Sequence, residues 1–123
     1  MATIVSPGLG SAVTLSSAQT GNADSTNIVD RGTRRGPGAV VIANTAGATP
    51  TVTVKILGSV DGTNYFNVGY SLVATPETVA VADLTITTTA TTTYLLRPNM
   101  PWQFLKLNYS AITNETITAT AYV

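Results

Sequence analysis

Carboxylates are the first side chains in this chain that could do chemistry, because two of them flanking a glycosidic bond can hydrolyse it. The chain has six, namely Asp24, Asp30, Asp61, Glu77, Asp83 and Glu115. Almost all of them fall in predicted turns, where aspartate hydrogen-bonds the nearby backbone and initiates the turn. The pattern therefore favours turn formation over catalysis.

Few side chains of this chain are suited to nucleophilic catalysis or to metal binding. The chain contains no histidine and no cysteine, which are common bases, nucleophiles and metal ligands near neutral pH. A serine nucleophile would need Lys55 or Lys106 as its base, but both lie in alternating segments where lysine normally faces solvent. The segment 61–64 offers several oxygens in a tight turn, yet it lacks the spacing and the bidentate glutamate of a calcium loop. We therefore expect no enzyme activity, no catalytic residue, no metal and no cofactor.

The charge balance bears on the class of partner. Six basic and six acidic residues cancel, and charged residues make up only 10% of the chain. Such a chain has no long-range attraction for phosphate backbones or anionic lipids, so we expect neither nucleic acid nor membrane as a partner. A net charge near zero also gives little protection against self-association, which favours a protein that works within an assembly.

Four residues are candidates for an interface. Arg31, Arg34 and Arg35 lie together in a segment rich in glycine and proline, which predicts an exposed loop. Guanidinium groups are enriched at protein interfaces, so the loop is either a contact site or simply solvated. Trp102, the one tryptophan of the chain, is expected to be a core residue or an anchor between subunits.

Threonine makes up about a fifth of the chain and, being β-branched, fits strands. Residues 51–60 and 65–72 alternate apolar and polar side chains across a turn, which predicts a β-hairpin. Residues 102–109 and 116–123 alternate in the same way and are predicted to form a terminal hairpin. Since no segment has a helical period with capping residues, we predict an antiparallel β-sandwich of about seven or eight strands, either a jelly roll or an immunoglobulin-like Greek key.

The predicted domain organisation has two parts. Residues 1–38 contain few large apolar side chains and are predicted to form an extended N-terminal arm that ends in the basic loop. Residues 39–123 contain the clear alternation and are predicted to form the sandwich domain. We expect the arm to serve assembly more than folding.

Three segments carry a resemblance to a known class of protein. They are 51–66 (TVTVKILGSVDGTNYF), 102–109 (WQFLKLNY) and 118–123 (TATAYV). Together they resemble the small β-sandwich structural proteins of tailed bacteriophages and are most similar to head decoration, or cement, proteins. The resemblance implies a non-enzymatic protein, made in the host cytoplasm, that assembles, often as a homotrimer, on the outer surface of the virion capsid, binds the major capsid protein and stabilises the head.

Two other functions remain open from the residues. A carbohydrate-binding or receptor-binding module would need exposed, coplanar aromatic rings, and the candidates are Tyr65, Phe66, Tyr70, Trp102 and Tyr109. A decoration protein is expected to bury such rings in its core or in subunit contacts. A tail or neck component of the virion would differ only in the protein on which it assembles.

Overall fold

The fold is described from a computed structural model, which describes residues 3–7, 11–32, 38–45, 50–97, 101–113 and 115–123. These residues form thirteen strands and no helix: β1 (Thr3–Val5), β2 (Ala12–Gln19), β3 (Ala23–Asp24), β4 (Asn27–Asp30), β5 (Gly38–Asn44), β6 (Thr51–Ser59), β7 (Tyr65–Asn67), β8 (Tyr70–Leu72), β9 (Thr75–Ala80), β10 (Leu84–Ile86), β11 (Thr91–Leu96), β12 (Phe104–Thr113) and β13 (Ile117–Tyr122). The predicted all-β sandwich is confirmed. Several strands have only two or three residues, so there are more than the seven or eight predicted.

The strands form two sheets. Sheet A has the order β1-β4-β12-β6-β10, with β3 beside β12 and β7 beside β6, and sheet B has the order β2-β13-β5-β11-β8-β9. The strand pairs are antiparallel, except that β1 runs parallel to β4. The order is not sequential, because the chain crosses repeatedly from one sheet to the other.

The core lies between the sheets and follows from the alternation within each long strand. On β12, Leu105, Leu107 and Tyr109 are buried while the residues between them are half-buried on the outer face. On β13, Ile117, Ala119 and Ala121 are buried in the same way. Since successive side chains of a strand point to opposite faces, each of these strands contributes one apolar row to the core.

The described residues of the first third of the chain are built into both sheets rather than extended away from them. Strand β2 pairs along β13 at the edge of sheet B, and β4 pairs with β12 in sheet A. Val13, Leu15 and Val29 are buried in the core. The segment predicted to be an arm therefore supplies four strands, which are held in place by their backbone hydrogen bonds and by the buried side chains of Val13, Leu15 and Val29.

The two predicted hairpins have different outcomes. Strands β6 and β7 do form a hairpin across residues 60–64, but β8 leaves it and pairs with β11 in sheet B. The predicted terminal hairpin is wrong, since β12 pairs with β6 in sheet A and β13 pairs with β2 and β5 in sheet B. Near its end β12 has an irregularity where Ala111 takes a positive φ of 54°, and after it the chain crosses to the other sheet.

Candidate interaction surfaces

Two of the four interface candidates contact each other inside the molecule. Arg31 follows β4 and Trp102 precedes β12, and the pairing of these strands brings the two residues together. The guanidinium carbon of Arg31 lies 3.3 Å from the centroid of the indole ring, and its Nε donates a hydrogen bond of 2.9 Å to the Trp102 carbonyl. Arg31 is 5% exposed and Trp102 is 1% exposed. Both side chains are thus engaged within this chain, and neither is presented on its surface.

The other two interface candidates, Arg34 and Arg35, lie outside the described residues. The segment just before them is fixed by local hydrogen bonds. The Asp30 carboxylate accepts from the Gly32 amide and from the Gln103 side chain, both at 2.9 Å. Residues 30–32 are therefore tied to Gln103, just before the start of β12.

The carboxylates are distributed over the molecule, and two of them have pKa values lowered by their partners. Burial opposes ionisation of Asp24, but hydrogen bonds from Asn108 and Lys106 and the charge of Lys106 outweigh it and lower the pKa of this carboxyl. The Asp61 pKa is held well below its usual range, first by the amides of Asn64 and Thr63. Both groups stay ionised near neutral pH, so neither has the proton that a general acid needs.

Asp61 has a structural role in the β6–β7 turn, as its sequence context predicts. Its Oδ1 accepts from the amides of Thr63 and Asn64 at 2.8 Å and from the Ser59 hydroxyl at 2.9 Å. Gly62 has a φ of 79°, a conformation that glycine adopts at little cost. These bonds engage the Asp61 carboxylate within the turn. The described residues contain no group of three or more acidic, histidine or cysteine side chains that could hold a metal.

Lys106 lies on the outer face of sheet A and is already paired. Its Nζ is 2.9 Å from Asp24 Oδ2 and 4.1 Å from the centroid of the Tyr65 ring. The Lys106 side chain thus holds β12 to Asp24 of β3 and packs on the ring of Tyr65.

Among the described residues, Glu115 is the one acidic residue whose side chain is buried. It is 4% exposed, and neither of its oxygens has a hydrogen-bond partner within the described part of the chain. Burial raises the pKa of this carboxyl. It lies between β12 and β13, where the chain passes from one sheet to the other.

The aromatic side chains do not form an exposed platform. Trp102, Tyr109 and Tyr94 are buried, and Tyr65, Phe66 and Tyr70 are half-buried. Tyr70 and Tyr94 pack edge to face with their ring centroids 5.6 Å apart. Among the described aromatic residues only Tyr122, 45% exposed, presents a large part of its ring to solvent. Stacking on a sugar needs an open ring face, so the candidates for that role are poorly placed.

The outer face of sheet B carries no charged side chain on five of its six strands. Strands β2, β5, β8, β11 and β13 contain no Asp, Glu, Lys or Arg, whereas the strands of sheet A contain Asp24, Asp30, Lys55 and Lys106. We call this surface the uncharged face, and its central side chains are Val41, Thr93, Leu95, Thr118, Thr120 and Tyr122. Sequence reasoning overlooked it, although the lack of charge in these segments was visible once the strands were assigned.

A second surface with exposed apolar groups lies at the edge of sheet B. Leu72, Val73, Val79 and Val81 are each more than 40% exposed, and a groove of about 360 Å³ runs beside them between Tyr70, Leu72 and Tyr94. The edge strand β9 contains Pro76, which has no amide to donate, and the charged Glu77. Both features discourage the addition of a further strand.

No helix in the described part of the chain is long and apolar enough to cross a membrane.

No family model matches the sequence, and no curated protein matches it. Among solved structures, the fold is similar to that of YomS, a protein derived from the SPBc2 prophage, with a TM-score of 0.67 and 11% sequence identity. The alignment covers 91% of this chain and 90% of YomS. The likeness therefore extends over nearly the whole of both chains, and at this identity what it shows is a shared fold.

Proposed function

We propose that this protein is a non-enzymatic structural protein of a tailed-bacteriophage virion and, within that class, a head decoration protein. In this role it binds the major capsid protein on the outer surface of the head, as a homotrimer, and stabilises the head. The observation that carries the proposal is the fold, which is similar over nine-tenths of each chain to a protein derived from a prophage.

The side chains of the described residues support a structural role. The carboxylates of Asp24, Asp30 and Asp61 accept local hydrogen bonds, and Lys106 is held by Asp24. These groups fix turns and strand pairs, as is usual for polar residues in a structural domain. The burial of Trp102 and Tyr109 supports the decoration role over a sugar-binding module, which would need them at the surface.

The uncharged face is a surface of this protein that suits contact with another protein. Interfaces between proteins are depleted of charged residues at their centre, and sheet B presents such a surface across five strands. A neutral chain depends little on electrostatic attraction, so its attachment to a capsid should rely on area and on many copies acting together.

The proposal is tested by locating the protein in virions of the phage whose genome carries the gene. Heads and tails are separated on a density gradient, and the protein in each fraction is quantified by mass spectrometry. We expect it with the heads, in a fixed ratio to the major capsid protein. Its presence with tails or necks alone would identify a tail or neck component, and its absence from both would reject a virion role.

A further inference from the structure

Glu115 is a buried carboxyl group that lacks the partners an ionised group needs. It is 4% exposed, and neither of its oxygens accepts a hydrogen bond within the described part of the chain. By contrast, the carboxylates of Asp24, Asp30 and Asp61 all accept hydrogen bonds. A buried carboxylate without such bonds is unfavourable, so the group either keeps its proton or moves into solvent. The position of Glu115 therefore suits the protonated form.

No charged group of the described residues offsets the burial of Glu115. The residue lies between the end of β12, which pairs with β6, and the start of β13, which pairs with β2 and β5. Strands β2 and β5 contain no titratable side chain, and neither do residues 45–50, which connect β5 to β6. Burial alone raises the pKa of Glu115. The other titratable side chains of these strands, which take no part in raising that pKa, are Lys55, Lys106, Tyr109 and Tyr122.

Hydrogen bonds hold the chain on both sides of Glu115. Before it, Thr113 pairs with β6 in sheet A. After it, the Thr116 carbonyl accepts from the Thr45 amide at 3.1 Å, and the Thr116 amide donates to Asn44 Oδ1 at 3.4 Å. The second of these bonds is long and therefore weak. Two bonds at the residue that follows thus help to keep Glu115 buried, and a small local opening would break them.

We propose that the connection from Thr113 to Thr116 is a pH-sensitive latch between the two sheets, closed while Glu115 is protonated and opened when Glu115 loses its proton. In the closed state the carboxyl group is buried, as the structure shows it. In the open state the ionised carboxylate reaches solvent, and the bonds from Thr116 to Asn44 and Thr45 are broken. We call this connection the Glu115 latch. It is a property of the isolated chain and does not depend on the capsid role.

The direction of the pH dependence follows from the state that binds the proton more tightly. Burial raises the pKa of Glu115 above 4.5 in the closed state, whereas an exposed carboxyl group in the open state has its ordinary pKa. Below pH 4.5 both states are protonated, and the latch is closed. As the pH rises from 4.5 through the raised pKa, the ratio of open to closed chains increases by up to about tenfold per pH unit and then levels off.

The test measures hydrogen exchange of single amides by NMR in the full-length chain between about pH 4 and about pH 7, with each rate corrected for the intrinsic rate at that pH. The amides of Thr45 and Thr116 report on the latch. The amides of Ser25 and Arg97, which donate to the carbonyls of Leu107 and Gly69, are the controls. We expect protection of the latch amides to fall by at least about threefold over this range, while the controls keep theirs.

The Glu115→Gln variant shows whether the carboxyl group is responsible. Because glutamine does not ionise, its Thr45 and Thr116 amides should keep at pH 7 the protection that they have at pH 4. Glu77→Gln, at an exposed position on β9, is the matched control and should behave as the wild type does. Latch protection that is independent of pH in the wild type would overturn the proposal, and so would a pH dependence that persists in Glu115→Gln.

The carbon-13 shift of the Glu115 carboxyl group carries the test if Glu115→Gln does not fold. In the wild type this shift should titrate with a midpoint above pH 4.5, over the pH range in which the Thr45 amide loses protection. A midpoint at or below pH 4.5 would overturn the proposal.

Discussion

The guanidinium carbon of Arg31 lies 3.3 Å from the centroid of the Trp102 ring, while the Nε of the same arginine donates to the Trp102 carbonyl at 2.9 Å. A single side chain therefore contacts both the ring and the backbone of the tryptophan. The contact connects the end of β4 to the start of β12 across 71 residues of sequence. Since Trp102 is among the largest fully buried side chains, the position of Arg31 is coupled to the packing of the core.

Replacing Arg31 with alanine should lower the free energy of unfolding by about 2 to 4 kcal/mol, since a desolvated cation–π contact and a charged hydrogen bond are lost together. Urea denaturation measures this change. Arg97→Ala removes an exposed arginine and should change stability by less than about 0.5 kcal/mol. If Arg31→Ala weakened self-association but left the urea midpoint unchanged, the arginine would act between chains, as its sequence context first suggested.

Trp102 also requires a glycine at position 58. A Cβ placed on Gly58 would lie 2.7 Å from Val68 Cγ2 and 2.9 Å from Trp102 Cβ, and neither neighbour has room to retreat in a close-packed core. Gly58→Ala should therefore lower the free energy of unfolding by about 1 to 3 kcal/mol, and by more if the neighbouring side chains do not shift. Gly21→Ala is the matched control, because a Cβ at position 21 meets no atom within 4 Å. Equal thermal midpoints for the two variants would contradict this account of the packing.

The sequence predicted the faces of the strands more reliably than their partners. Alternation correctly assigned Leu105, Leu107 and Ile117 to the buried side. It could not show that β12 and β13 lie in different sheets, because a residue that faces the core from sheet A and one that faces it from sheet B give the same pattern. The β6–β7 hairpin was predictable for a local reason, since Asp61 and Gly62 form the turn by themselves.

The interface candidates show a similar limit. Arginines among glycines predict an exposed loop, and the structure buries Arg31 because Trp102, far along the chain, lies beside it. No local pattern contains that contact. The uncharged face was equally hidden until β5, β11 and β13 were known to be neighbours.

Removing residues 2–26 should abolish cooperative folding, although the sequence alone predicted that the remaining chain would fold. The deletion removes β2, which pairs along β13, and with it the buried Val13 and Leu15. Ala119 of β13, which is fully buried, is paired with Ser16 of β2. In the intact chain, Leu15→Ala should cost about 2 to 5 kcal/mol. A truncated protein with a sharp thermal transition would restore the arm hypothesis.

Glu115 should make the protein more stable when it is protonated. Burial raises the pKa of this carboxyl above its ordinary value of 4.5 in the folded chain, so the folded state binds the proton more tightly than the unfolded state. The contribution of Glu115 to the unfolding free energy is therefore most favourable at low pH, and it falls as the pH rises from about 4.5 through the raised pKa.

Glu115→Gln, which cannot ionise, should consequently be more stable than the wild type at pH 7, and the difference should shrink as the pH falls towards 4. Urea denaturation at both values measures it. Glu77→Gln, at an exposed position on β9, is the matched control and should differ little from the wild type at either pH. If Glu115→Gln and the wild type were equally stable at pH 7, the Glu115 carboxylate would be hydrated or hydrogen-bonded when the protein is in solution. A variant less stable than the wild type at pH 7 would show that the ionised carboxylate stabilises the fold.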